Sequence, residues 1–306
     1  MNTPSNAIAG SPSAAIASFE VPPIRRFYWS MRRELWEYRS LYLAPLIVGA
    51  LALIGFWISL IHLPAILRGV RVHHVDVFAT METPYVTVAL LLMAVEILLA
   101  VFYSVDALYG ERRDRSVLFW KSLPVSDATT VLAKASIPIL VLPLITAVVT
   151  IALQFIMSVS HSVVLAANGM SPALPWIHIP FFKTAGVNLY HLVVFHGLWY
   201  APFFGWFLLV SAWAKRTPFL WAVIPPLAVG LVEKIAFNTS HFGQGVMTRV
   251  GGGSEGGGTP GGMNMDMFVP QHALHFLFSP GMWLGLAFTA GCLLLAVRLR
   301  RMRAAV

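Results

Sequence analysis

Only one cysteine, Cys292, occurs in the 306 residues, and it lies inside an apolar run. This excludes a disulfide framework and any CxxC metal or redox site within the chain. Charge is also scarce, at 11% of residues, where a soluble domain carries about 25%. No GxxxxGK followed by Ser or Thr occurs, so the chain lacks the loop that cradles nucleotide phosphates in ATPases of that type. HExxH is absent, the apolar runs hold no paired Asp motif, and Ser211 has no GxSxG context, which argues against an intramembrane hydrolase. What is abundant is apolar surface: 58% hydrophobic residues, with 20 Phe, 10 Trp and 8 Tyr, and a mean hydropathy of +0.73. A soluble fold has too few polar residues here to cover that surface. Disordered chains are poor in aromatics. The solvent this composition fits is a lipid bilayer.

A hydrocarbon core about 30 Å thick needs roughly 20 apolar residues in a helix. Six runs qualify: 41–61, 84–105, 131–157, 189–213, 218–237 and 280–297. Pro138 and Pro143 predict a kink in the third, and Pro225-Pro226 argue against a straight fifth helix. With both termini inside, the inner segments hold Arg25, Arg26, Arg32, Arg33, Arg39, Arg112, Arg113, Arg115, Lys121, Lys134, Lys215, Arg216, Arg298, Arg300, Arg301 and Arg303. The outer segments hold Arg68, Arg71, Lys183, Lys234 and Arg249. Sixteen against five puts the termini in the cytoplasm. This bias accounts for the net charge of +8 without invoking nucleic acid.

Residues 1–23 lack the basic start and apolar core of a signal peptide and read as a disordered cytoplasmic tail. Residues 24–40 read as an amphipathic helix, with Ile24, Phe27, Tyr28, Met31, Leu35 and Tyr38 at helical spacing. Arg25, Arg32 and Arg39 make a second row beside Trp29 and Trp36, a pattern suited to the headgroup region. The transmembrane domain then covers 41–298, and 299–306 form a basic cytoplasmic tail. The inner loop 106–130 mixes charges and follows them with the apolar patch Val117-Leu-Phe119-Trp120. A plain flanking loop would be basic throughout, and this mixture suits docking to another protein. Ser126 or Asp127 caps the helix that follows. The long outer loop 238–279 contains the Gly-rich linker 251–262 and a candidate short re-entrant helix at 269–278.

The stretch 103–127, Tyr-Ser-Val-Asp-Ala-Leu-Tyr-Gly-Glu-Arg-Arg-Asp-Arg-Ser-Val-Leu-Phe-Trp-Lys-Ser-Leu-Pro-Val-Ser-Asp, resembles the cytoplasmic loop between spans two and three of bacterial ABC-2 type transporter permeases. The surrounding pattern of an amphipathic helix, six spans and a long outer segment between spans five and six is similar over nearly the whole chain. The resemblance implies an all-α, type V exporter-like fold in the bacterial inner membrane. It implies a dimer with a second copy or a homologous permease. It also implies two separate cytoplasmic ATPase subunits that bind the ATP and magnesium, with no cofactor and no enzymatic activity in this chain. It casts Glu111, Arg112, Arg113, Asp114, Arg115, Phe119, Trp120 and Lys121 as the coupling segment, with Arg25, Arg32, Trp36 and Arg39 on the connecting helix beside it. It places spans two and five along a central path. The Gly-rich stretch is not part of the family pattern.

Four further features bear on chemistry. Glu96 lies midway along span two, where an ionisable group must face protein or water. It is the candidate substrate-path residue, and its alternative is a hydrogen-bonded packing role. Asp106, near the inner interface, is expected to cap or to pair with Arg112 or Arg113. His191 and His196 lie five apart in span four, a spacing that an α-helix places on different faces, so they read as polar packing residues. Met263, Met265 and Met267, with His272 and His275, form a soft-ligand set suited to Cu(I). A Met-rich outer loop is more often a packing surface, and no metal site is expected. The alternatives to the exporter reading are a copper-related or other metal-linked ABC permease, and a membrane scaffold or channel.

Overall fold

A computed structural model of the chain describes residues 22–63, 77–114, 125–251 and 277–302. Among these the regular structure is entirely helical. Helix α1 spans Pro23–Glu37. It is followed by α2, Ser40–Leu60, α3, Val77–Asp106, and the short α4, Tyr109–Arg113. The third span is built of α5, Asp127–Ser136, a π-helical stretch Ile137–Val141, and α6, Leu142–Ala167. A turn of helix, α7, Leu174–His178, leads to α8, Phe181–Tyr190. A second π-helical stretch, His191–Trp199, joins α8 to α9, Ala201–Trp213. The chain closes with α10, Pro218–Phe237, α11, His241–Val250, and α12, Pro280–Met302.

Five of these units are long and apolar enough to cross a membrane, or six if the pair 181–199 and 201–213, bent by 46°, counts as one span. The described chain is thus that of a multi-pass helical membrane protein. Helix α9 packs most extensively on α12, and α3 lies between α2, α6 and α9. Two apolar clusters divide the bundle lengthwise. One gathers Leu41, Tyr103, Leu108, Val131, Phe204 and Leu208. The other gathers Phe56, Met81, Tyr85, Leu92, Leu153 and Met157. Helix α10 is peripheral, with only 6% of its most apolar window buried.

The structure revises several sequence boundaries. The N-terminal helix ends at Glu37, not at residue 40, because Tyr38 leaves helical geometry. Its Tyr28, Trp29 and Trp36 are exposed, while Met31, Leu35 and Tyr38 pack on the bundle. The third span continues ten residues beyond Met157, through a polar stretch that ended the hydropathic run. Ser158, Ser160 and Ser162 are satisfied inside the helix, each hydroxyl donating to the carbonyl four residues back. Helix α10 runs through Pro225 and Pro226 without interruption. Pro226 has no N–H for Ala222 O, and Trp206 Nε1 on α9 donates to that carbonyl instead, at 2.9 Å. Of the tail read as disordered at 1–23, residues 1–21 lie outside the described residues, and Pro23 already begins α1. The Gly-rich linker beyond Gly251, and most of the proposed re-entrant helix, also lie outside them.

Proline explains one of the tightest approaches in the bundle. Pro143 supplies no N–H to Ile139 O, four residues earlier. The π-helical stretch 137–141 contains that carbonyl, and Leu142 N donates to Ile137 O across it. Gly197, in the other π-helical stretch, lies so close that a Cβ there would collide with Ile139 O. Only glycine admits so close an approach of its backbone to that carbonyl.

Candidate functional site

The base of the loop 115–124 is where most buried charge collects. Glu34 on α1 is 1% exposed, Glu111 on α4 is 3% exposed and Lys134 on α5 is fully buried. Lys134 Nζ lies 2.9 Å from Glu34 Oε2 and 3.2 Å from Glu111 Oε1, bridging the two carboxylates. Arg33 Nη2 bridges them a second time, at 2.6 Å to Glu34 Oε1 and 2.9 Å to Glu111 Oε1. Tyr103 OH on α3 donates to Glu34 Oε2 at 2.9 Å. Arg300 on α12 donates to Glu111 Oε2 at 2.6 Å and to Asp127 Oδ1 at 2.9 Å. Three cations thus face three carboxylates, and five helices meet at one node. Buried charges are tolerated only when paired and hydrogen-bonded in this way. Burial acts to lower the Arg33 pKa, but Glu34 and Glu111 more than offset it, so the guanidinium sits above its ordinary value.

Further contacts fix the root of the loop. Ser211 Oγ on α9 accepts from Leu108 N at 3.0 Å and Tyr109 N at 2.9 Å, capping α4. Arg112 Nη2 donates to Ser211 O and, at 2.9 Å, to Ala214 O. Tyr38 OH donates to Asp106 Oδ2 at 3.2 Å, beside Gly110, where a Cβ would crowd both groups. Burial, then Asp106, pushes the Tyr38 phenol above its usual range. On the far side of the loop, Ser126 Oγ accepts from Thr129 N at 3.1 Å and caps α5 as the sequence suggests. Asp127 instead serves Arg300.

The coupling residues therefore fall into distinct environments. Glu111 and Arg112 turn inward to this chain, while Arg113 and Asp114 are exposed and pair with each other at 2.9 Å. The Arg113 hydrogen bond holds the Asp114 carboxyl below its usual value. Arg115, Phe119, Trp120 and Lys121 lie outside the described residues. On the N-terminal side Arg25 and Arg39 are exposed, and Arg32 sits over both Trp29 and Trp36, at 5.1 and 4.8 Å from the ring centres.

A second buried site lies within the spans. Glu96 is fully buried, and its Oε2 is 2.5 Å from His196 Nδ1. The expectation that His191 and His196 occupy different faces is overturned. Both belong to the π-helical stretch, whose i→i+5 bonding stacks residues five apart, and their rings lie 5.3 Å apart. Glu96 Oε1 has no hydrogen-bond partner among the described residues. The carboxyl thus meets its polar partner within the protein rather than facing lipid. Among the described residues no group of three or more His, Cys, Asp or Glu could hold a metal ion. Met263, Met265, Met267, His272 and His275 lie outside the described residues. Glu96→Gln keeps a hydrogen bond to His196, so the thermal stability of the detergent-solubilised chain should change by about 1 kcal/mol or less. A much larger loss would show that the pair is held as separated charges.

A third network escaped the sequence reading. Tyr85 OH lies 2.9 Å from His161 Nδ1 and accepts from Ser158 Oγ at 3.3 Å. Gln154 Oε1 accepts from Asn188 Nδ2 at 2.9 Å. These groups join α3, α6 and α8, and their polarity is consumed in packing. No family model, no curated protein and no solved structure matches the chain.

Proposed function

We propose that this chain is the membrane-spanning permease subunit of an ABC exporter, working as a pair of permeases with two separate cytoplasmic ATPase subunits. One observation carries the reading. The segment whose sequence resembles the ABC-2 coupling segment is flanked by α4 and α5, and both of these helices are rooted on the same buried charge node. A push delivered to the loop reaches Glu111 and Lys134 together, and through them α1 and α12.

On this reading ATP and magnesium stay in the partner, and this chain contributes no catalytic group. ATP binding closes the ATPases, the loop transmits the closure, and the bundle switches between inward- and outward-open states as a two-state element biased by the partner. The termini lie in the cytoplasm of a bacterial cell, and the loop presents Arg113, Asp114, Arg115, Phe119, Trp120 and Lys121 to the ATPase. Glu111 acts as a positioning residue behind that surface. Glu96, sealed against His196, would enter a substrate path only when the spans part.

The test is affinity purification of the tagged chain in mild detergent, with and without exchange of Arg113 and Asp114 (Arg113→Asp with Asp114→Arg). The wild type should recover a Walker-motif ATPase in roughly equimolar amount. The exchange should reduce that recovery several-fold while leaving membrane insertion intact, because neither side chain is buried. A stable wild-type chain recovered without any ATPase would overturn the proposal and favour a channel or scaffold.

A further inference from the structure

At the same end of the bundle as the charge node, α9 and α10 are joined by residues 214–217. Their junction forms an open cavity of about 470 Å³ lined by Trp213, Ala214, Lys215, Arg216 and Trp221. Trp213 and Trp221 stand edge to face, 4.8 Å between centroids, as its aromatic wall. The walls are held by contacts already formed. Trp206 Nε1 donates to Ala222 O, and Ala214 and Ala222 pack with Val105 and Val210 in a small buried cluster. The turn is constrained too, since Thr217 adopts φ 46° and ψ 60°, a left-handed conformation unusual for a β-branched residue.

The electrostatics point one way. Ala214 is a lining residue, and its carbonyl is already taken by Arg112. Lys215 and Arg216 are exposed and make no ion pair with any described residue. Two positive charges therefore stand at a mostly apolar cavity with no acidic partner among the described residues. It lies where α9 meets α10, a helix long and apolar enough to cross a membrane. Phe219 and Leu220, at the start of α10, are half exposed beside it. Indole rings favour the headgroup level, where an apolar body meets water.

We propose that this cavity binds the phosphate of an anionic phospholipid headgroup. Lys215 and Arg216 contact the phosphate, and Trp213 and Trp221 seat the glycerol and upper acyl region. A phosphate carried by a lipid fits better than a free one, because the wall is aromatic and the flanking surface is apolar. The proposal rests on the membrane placement of α9 and α10 and does not depend on the ATPase reading.

The full chain in nanodiscs of phosphatidylcholine, with or without phosphatidylglycerol, tests it. Native mass spectrometry after release would count retained lipid. Wild type should retain phosphatidylglycerol in preference to phosphatidylcholine. Lys215→Gln with Arg216→Gln should lower that preference roughly tenfold at low salt. Lys215→Arg should keep it, which separates loss of charge from loss of fold. Equal retention by wild type and the double variant would overturn the proposal. So would inorganic phosphate displacing the lipid completely at millimolar concentration, which would assign the cavity to a soluble phosphate compound.

Discussion

Lys134→Met should be the most damaging single change at the charge node. It removes the one ammonium that touches both Glu34 and Glu111 and leaves the two carboxylates with less compensation in a site almost closed to solvent. Breaking a buried ion pair by deleting one partner costs about 3–5 kcal/mol. Domains in general hold only about 5–15 kcal/mol in reserve. The expected result is a large fall in the unfolding temperature of the detergent-solubilised chain and poor recovery from membranes. Methionine matches the lysine stem in length, so the loss reports charge rather than volume. Glu34→Gln in the same background should restore part of the stability, because it removes one of the stranded charges. A Lys134→Met chain as stable as wild type would mean that Arg33 and Arg300 neutralise the node without it.

Gly197→Ala should come next, for a steric reason. The added methyl would overlap Ile139 O, and that atom is main chain, so no side-chain rotation relieves it. The two π-helical stretches must separate or rewind. Overpacking a tight core costs about 1–3 kcal/mol in ordinary cases, and a rigid carbonyl sits at the upper end of that range. Because Gly197 neighbours His196, the shift should also disturb the imidazole that meets Glu96. Gly186→Ala is the control. Nothing lies within 4 Å of its Cβ position, so that change should be neutral or stabilise α8 by up to about 1 kcal/mol through helix propensity. Comparable unfolding temperatures for the two variants would refute the close-contact explanation.

Much of the architecture could be read before folding because lipid imposes a length on helices. The runs 41–61 and 218–237 match α2 and α10 within a residue. The misread ends are those where polar residues find partners within the helix. Ser158, Ser160 and Ser162 do this; α3 also begins ahead of Pro84, with Glu82 inside it. Glu96 was legible as a costly residue, but its partner was not, because His196 lies 100 residues away on another element; the nearness of His191 to His196 was missed because a spacing of five signals adjacency only in a π-helix. Glu34 left a readable sign. It shares its face with Met31, Leu35 and Tyr38, an apolar stripe where a carboxylate needs a buried cation. Lys134 left a matching one, sitting inside the third apolar run. Pairing them needed tertiary information, since they are 100 residues apart.

The π-helical stretch at 191–199 also sets the indexing of the fourth span. A π-helix accommodates an extra residue in what would otherwise be an α-helical path. Deleting one residue there would return the stretch to α-helical winding and leave α9 beyond it in register, whereas deleting one from the first turn of α9 would rotate everything beyond it by about 100°. Trp206 would turn away from Ala222, Ser211 from the start of α4, and Gly205 from Thr289 on α12. The span therefore behaves like a counted thread. Residues can be exchanged along it wherever space allows, but beyond the π-helical stretch its residue number is fixed by what its far end must reach.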